Sequence, residues 1–455
     1  MSAVEAISPA RKAAFGILMA VGRGKAHSDD LLRAKAVESL SAADRNLATA
    51  LVLGVLRWQI WLDEQVKRFL KKPRAKLDAE AAVALRLGAF QLLFLDRIPA
   101  HAAIDESVEL TKQSGHRFAS SMVNAVLRKL WSERAAATEL SQASSVGAHP
   151  GWMVDRWTGF YGADAAQAIC RHGQAQPRLT VRVVNKAIAT ELARAGVQLE
   201  PGELMTAARA VSSGDIPATA AFREGRVRIQ DEASQLIGEL AARAGNDCGE
   251  KVRTIVDLCA APGGKTLILA ERNPETRIVA CEASSRRLDE MRVRLVACGD
   301  RLECRLADAA ALKEESVFDV ALADVPCSGT GTLGRNPEIR HRLRPEDLMR
   351  YAERQRAILR AALRTVRIGG RVVYSTCSLE LEENDTVVAS MLAEDPKGRQ
   401  ISLAESIEDL LRDGILTGGG AARLKQCLTH QGALRLLPGA LPTDGFFVAL
   451  FERIA

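Results

Sequence analysis

No C-x-x-C pair occurs in these 455 residues, and the nine cysteines are odd in number. Neither a zinc site nor a disulfide framework is therefore readable, and reduced thiols fit the cytoplasm. No apolar run reaches the roughly 18 residues a membrane-spanning helix needs. The stretch from Arg11 to Val21 imitates a signal peptide, but it is short and contains Gly16. It runs into Gly22-Arg23-Gly24-Lys25 with no small-residue cleavage site. An amphipathic first helix is expected there. Internal repeats and low-complexity tracts are lacking as well, which sets solenoids and disordered tails aside.

What is present is an ordinary soluble composition, 47% hydrophobic and 26% charged, on a chain long enough for two to four domains with full cores. The net charge of +6 is mild, but its placement is uneven. Residues 1–140 carry 21 Lys and Arg against 15 Asp and Glu, and the remainder is neutral. A basic segment beside a neutral one points to a polyanionic partner; the plainer alternative is a helical domain with solvated basic faces. The densest cluster is Lys67-Arg68 with Lys71, Lys72, Arg74 and Lys76. Pro73 ends any helix there, so the cluster is expected on a loop.

Residues 6–135 read as helices only. Ser41 followed by Asp44 resembles a capping box, after which Leu47, Leu51, Val55 and Trp58 share one helical face. The segment from Ala81 to Leu95 is apolar nearly all round except for Arg86 and Gln91, as suits the middle of a bundle. Residues 135–150 read as a linker. Residues 150–235 mix helix with short strands such as Leu179–Val184 and Arg226–Ile229. From residue 253 strands and helices alternate: Arg253–Leu258, Arg277–Cys281, Leu302–Leu306, Phe318–Ala323 and Arg371–Ser375 are the strands. That alternation predicts an open parallel sheet covered on both faces, with Gly445–Phe451 closing its edge antiparallel. The expected organisation is multidomain: helical residues 1–140, a small α+β domain at 141–235, and an α/β doubly wound, Rossmann-like domain at 236–455.

The turn Cys259-Ala260-Ala261-Pro262-Gly263-Gly264-Lys265 follows the first strand of that last domain and opens a helix, where doubly wound folds bind nucleotides. Gly263 and Gly264 permit close backbone approach to a ligand. A P-loop would need glycine at position 259, where Cys259 stands, and a dinucleotide fold would need G-x-G-x-x-G at this turn. An adenosine-bearing cofactor without a triphosphate remains. Glu282 ends the second strand, placed to accept from ribose hydroxyls; its plain reading is a solvated loop acid. Asp308 follows the third strand, where an acid suits an adenine amine or ordinary turn chemistry. The fourth strand ends in Asp324-Val325-Pro326-Cys327, and a later one in Ser375-Thr376-Cys377-Ser378. Methyltransferases acting on exocyclic amines carry Pro and an aromatic residue at the first position. A cysteine there changes the chemistry, because carbon 5 of cytosine becomes nucleophilic only after a thiolate adds to carbon 6. Free thiols are otherwise inert small core residues, the reading that suits five or six of the nine.

These residues resemble the RNA cytosine-5 methyltransferases of the RsmB/NOP/NSUN group, which use S-adenosylmethionine. The resemblance rests on the Asp257–Thr266 loop, Asp308, Asp324 to Gly331, Ser375 to Ser378 with Glu382-Glu383-Asn384, Asp444-Gly445-Phe446-Phe447 and Gln230 to Ser234. The N-terminal helices, with Asp44-Arg45, Pro99 to Ala103 and Val123 to Arg128, resemble a NusB-like RNA-binding domain, and that fusion is similar to the bacterial RsmB-like branch, which acts on small-subunit (16S) ribosomal RNA. Two stretches depart from the pattern: Arg182-Val183-Val184-Asn185 has one residue more than the group's Arg-Val-Asn, and residues 396–440 match nothing. The resemblance implies Cys377 as nucleophile, Cys327 as the thiol that helps release the adduct, and Asp324 on the cytosine edge. It places the cofactor along residues 259–265 with Glu282, Asp308 and Asp324, and RNA on the N-terminal domain, where the charge distribution points to Lys67, Arg68, Lys71, Lys72, Arg74 and Lys76. Neither a metal nor a membrane is implied, and a monomer is expected. An inactive RNA-binding assembly factor, a tRNA cytosine-5 methyltransferase and a P-loop NTPase are the rivals.

Overall fold

Ser41 accepts from the Asp44 amide at 3.1 Å and starts a 26-residue helix, Ala42–Lys67. A hydroxyl there satisfies an amide that the first helical turn leaves without a partner. The computed structural model describes residues 7–24, 26–74, 76–134, 145–245 and 252–455. Most of the expected linker, residues 135–144, and Cys248 lie outside the described residues. The chain divides into two units, Met1–Gln176 with Leu333–Leu343, and Pro177–Thr332 with Arg344–Ala455.

The first unit is helical among the described residues. Its central helix, Ala79–Phe94, is buried on nearly every side, as its all-round apolar sequence predicts. The two polar exceptions are satisfied: Arg86 grips Asp63 with two bonds of 2.6 and 2.7 Å, and buried Gln91 accepts from Arg11 Nε at 2.5 Å. Helix Ala42–Lys67 packs so closely on the central helix that a Cβ on Gly54 would lie 2.0 Å from the Phe90 ring. Leu333–Leu343 is seated in this unit by buried polar groups. Arg340, 2% exposed, donates to the carbonyls of Arg57 (2.9 Å), Ala148 (3.2 Å) and Gly173 (3.1 Å). Arg57 donates in return to Gly334 O at 2.8 Å, and Glu338 accepts from both the amide and the hydroxyl of Ser28.

The second unit holds two sheets. In the small one, β1 (Thr180–Arg182), β2 (Gln198–Pro201), β3 (Ala208–Ser213) and β4 (Arg228–Ile229) run antiparallel in the order β2-β3-β1-β4. Arg182 does not point to solvent. Its guanidinium is buried against Glu239 at 2.7 Å and Glu271 at 3.1 Å, whereas Val184 is exposed.

The large sheet comprises β5 (Thr254–Asp257), β6 (Arg277–Glu282), β7 (Leu302–Leu306), β8 (Phe318–Asp324), β9 (Val366–Thr376), β10 (Gly398–Ile401), β11 (Leu434–Leu436) and β12 (Phe446–Arg453). Its order is β10-β12-β9-β8-β5-β6-β7, with β11 also on β12. Strands β5 to β9 are parallel to their neighbours, and β12 pairs antiparallel with β9. The late strand therefore does not close the edge as expected: β10, from the stretch that matched no pattern, adds beyond it. Alternate residues feed two cores, Ile255, Ile278, Val320 and Val373 on one face and Val256, Val279, Ala321 and Val372 on the other. Helices cover both faces, which is why the strand sequences are nearly continuously apolar. The order reverses between β5 and β8, and such a switch point opens a crevice at the carboxyl ends of the strands.

Candidate active site

β5 delivers Asp257 to that crevice, and the chain turns through Cys259–Gly263 before helix Gly264–Arg272 begins. Gly263 sits at φ +98°, a conformation that favours glycine, and a Cβ there would press on Leu295 at 3.3 Å. Asp257, 1% exposed, accepts from Thr266 Oγ1 at 2.7 Å through one oxygen, while its Oδ1 has no hydrogen-bond partner. Burial pushes this carboxyl up to about 7, the Thr266 hydroxyl lowers it, and the Asp324 charge raises it again. Glu282 ends β6, buried, with one oxygen on the Ser284 amide at 2.9 Å and Arg287 at 3.5 Å. Asp308 is more exposed; it caps the short turn Ala309–Ala311 and meets Arg354 at 3.1 Å. The expected cofactor residues thus lie at the ends of β5, β6 and β7 in turn.

β8 and β9 are neighbours in parallel register, with Asp324 opposite Ser375, so the loops after them emerge side by side. Cys327 Sγ and Cys377 Sγ are 3.1 Å apart. The Cys327 thiol is held well above its usual range, first by its hydrogen bond with Cys377, then by burial and by the charges of Cys377 and Glu383. Asp324 reaches both neighbouring motifs: Lys265 Nζ meets one carboxylate oxygen at 2.6 Å, and Ser375 Oγ donates to the other at 2.7 Å. Burial lowers the Lys265 ammonium, but the Asp324 charge and hydrogen bond outweigh it and leave its pKa raised. Cys259 is pushed far up by burial and then by Asp257, and Cys170, Cys281, Cys298, Cys304 and Cys427 are raised chiefly by burial. Burial thus disfavours the thiolate in all six.

Several residues that brace this pair stood in the sequence only as members of the motifs, with no role assigned to them. Gly331 donates to Cys377 O at 2.9 Å and accepts from the Gly445 amide at 2.8 Å. A Cβ at Gly331 would lie 2.3 Å from Gly445 O, so glycine is required where three motifs cross. Asn384 accepts from Thr376 Oγ1 at 2.6 Å and donates to Ser378 O at 2.9 Å. Glu383 bonds the Ser328 amide and the Ser378 hydroxyl. The signal available in sequence was only their proximity to the two cysteine motifs.

The basic cluster lies at and after the end of helix Ala42–Lys67, and Lys67, Arg68, Lys71, Lys72, Arg74 and Lys76 are all exposed. Lys67 also pairs with Glu64 at 2.6 Å, and Arg68 lies 3.7 Å from Glu133. Glu64, Lys67, Arg68, Pro73 and Arg74 line a shallow surface cleft.

Comparison with known proteins agrees with this geometry. The family model for the 16S rRNA methyltransferase RsmB/F matches residues 249–452, that for the NusB family residues 8–132, and that for an RsmF/B-like ferredoxin-like domain residues 149–212. The chain is 34% identical to a Bacillus subtilis protein named probable ribosomal RNA small subunit methyltransferase B, covering 97% of this chain and 98% of that one. It belongs to the ribosomal RNA small subunit methyltransferase B family. A Pseudomonas putida member is 33% identical over 98% of each chain. Among solved structures, that of PH0851 superposes with a TM-score of 0.74 at 25% identity, covering 98% of this chain and 99% of that one. A methyltransferase homologue from Pyrococcus horikoshii shares the fold over 66% of this chain and 93% of its own, with a TM-score of 0.51 at 24% identity. Family membership makes the chain an RNA methyltransferase built from a NusB helical domain, a small domain and a Rossmann-like catalytic domain.

Proposed function

We propose that this enzyme methylates carbon 5 of a cytosine in small-subunit ribosomal RNA. The observation that carries the reading is the pair of thiols, 3.1 Å apart at the ends of adjacent parallel strands and beside Asp324. One thiol suffices to add to carbon 6; a second at contact distance is suited to help remove the first. Cys377 Sγ forms a bond to carbon 6, and the electron pair of the 5,6 double bond makes carbon 5 the nucleophile. S-adenosylmethionine supplies an electrophilic methyl group for that carbon. Transfer of the carbon 5 proton to a base then re-forms the 5,6 double bond and expels the Cys377 thiolate, and Cys327 assists this elimination. Asp324, held in place by Lys265 and Ser375, is proposed to accept from the cytosine edge and keep the ring polarised.

The residues at the crevice fit the cofactor. Glu282 is a buried acid one strand over from the glycine turn, suited to ribose hydroxyls, and Asp308 suits the adenine amine. Asp257 Oδ1 is a buried acceptor with no partner among the described residues, and Gly263 lets the backbone of the Cys259–Lys265 turn approach a ligand. On the first unit, exposed Lys67, Arg68, Lys71, Lys72, Arg74 and Lys76 are proposed to meet RNA phosphates.

The experiment is nucleoside mass spectrometry of small-subunit ribosomal RNA treated with the purified enzyme and S-adenosylmethionine. The reading expects 5-methylcytidine at one position. Methyl groups found only on an exocyclic nitrogen or on ribose would overturn it, and 5-methylcytidine formed in transfer RNA alone would move the substrate.

A further inference from the structure

Glu383 is completely buried, yet its carboxylate meets neutral donors from three stretches of chain. Oε2 accepts from the Ser328 amide at 2.8 Å and from Gln355 Nε2 at 2.8 Å; Oε1 accepts from Ser378 Oγ at 2.6 Å. Ser328 directly follows Cys327, and Ser378 directly follows Cys377. The two serine hydroxyls also touch each other at 3.0 Å, and Gln355 Nε2 donates to Pro326 O at 2.9 Å. One carboxylate thus grips the residue after each cysteine, and the glutamine that donates to it holds the residue before the first.

Burying a carboxylate among neutral donors is costly. A glutamine would fill the same space more cheaply, but it offers one acceptor oxygen, and its NH2 group would either face the Ser328 N–H or require the Ser378 hydroxyl to turn from donor to acceptor. Accepting on both oxygens is what the carboxylate alone does here. Burial pushes Glu383 up, its hydrogen bonds pull it back, and its charge contributes to keeping the Cys327 thiol protonated.

We propose that Glu383 is the positioning residue that holds the two cysteine loops in register, setting Cys327 where it can assist release of the Cys377 adduct. The inference rests on the reading of Cys377 and Cys327 as the working thiols. A misplacement of about 1 Å at reacting groups costs on the order of 100-fold in rate, so loss of the grip is expected to slow turnover rather than weaken substrate binding.

The test uses the full-length enzyme with transcribed small-subunit ribosomal RNA. Glu383→Gln is expected to lower kcat by about 10- to 100-fold while the KM values for RNA and S-adenosylmethionine stay within about threefold. A protein–RNA conjugate resistant to denaturation should accumulate, because release suffers more than attack, and Glu383→Asp should recover part of the rate. A Glu383→Gln protein that binds S-adenosylmethionine as the parent does, with unchanged kcat and no conjugate, would overturn the proposal. Should that variant fail to fold, Ser378→Ala removes one arm of the same bridge; slowed turnover with conjugate supports the role, and full activity overturns it. A parent enzyme that forms no 5-methylcytidine sinks the underlying reading instead, and that outcome is visible without any variant.

Discussion

Glu282 holds the Ser284 amide with one oxygen and faces Arg287 with the other, so its carboxylate is fixed before any ligand arrives. Little side-chain entropy would then be lost on binding the ribose hydroxyls proposed for it. Glu282→Ala is expected to weaken S-adenosylmethionine binding by about 1–3 kcal/mol, the cost of charged hydrogen bonds. Calorimetry checks this directly, and unchanged affinity would remove the ribose assignment while leaving the fold intact. Asp324 behaves differently at the same scale. Its lysine and serine partners come from the β5 loop and β9, so a substitution there would disturb the cofactor turn and the Thr-Cys-Ser loop together.

Among elements, Leu333–Leu343 makes the sharpest demands on its surroundings. His341 Nε2 lies 2.7 Å from Leu56 O, and burial, with Arg340 and Arg86 nearby, lowers its pKa to about 4. His149 is lowered to about 3, by burial and then by Arg340. An unfolded histidine takes its proton near pH 6.5. Between that value and about 4 the unfolded chain therefore holds more protons, and stability falls as pH falls. In urea titrations the parent should lose more stability between pH 7.5 and 5 than His341→Gln, whose side-chain amide still donates to Leu56 O and does not titrate. Equal losses would contradict the buried neutral histidine. The sequence showed none of this: Gly334-Arg335-Asn336-Pro337-Glu338-Ile339-Arg340-His341-Arg342 is nearly all polar, and local sequence carries no information about burial supplied by distant chain. The burial of Arg182 was not legible for the same reason, its partners Glu239 and Glu271 lying 57 and 89 residues away. The parallel strands were legible because burial on both faces leaves a continuous apolar run. The placement of both thiols at strand ends was legible because each directly follows an apolar run. Glu383 was visible only as part of a motif, since its grip on Ser328 spans 55 residues.

At the scale of the whole molecule, a surplus of positive charge sits on a NusB-type helical domain and the paired thiols sit on a Rossmann-like one. Replacing Lys71, Lys72, Arg74 and Lys76 by alanine should weaken RNA binding. It should also flatten the slope of log affinity against log salt by roughly one to three, if each contacts a single-stranded phosphate. Affinity for S-adenosylmethionine should not change; an unaltered salt slope would make the cluster a solvated loop. Substitution is preferable to deleting residues 1–140, because Leu333–Leu343 packs in that unit and would lose its partners. The central claim, that the paired thiols divide attack and release between them, is tested most directly by denaturing electrophoresis of the full-length enzyme incubated with ribosomal RNA and S-adenosylmethionine. The account predicts a stable protein–RNA conjugate for Cys327→Ala, none for Cys377→Ala, and none for the double variant. A conjugate formed by Cys377→Ala but not by Cys327→Ala would contradict it and assign the attack to Cys327.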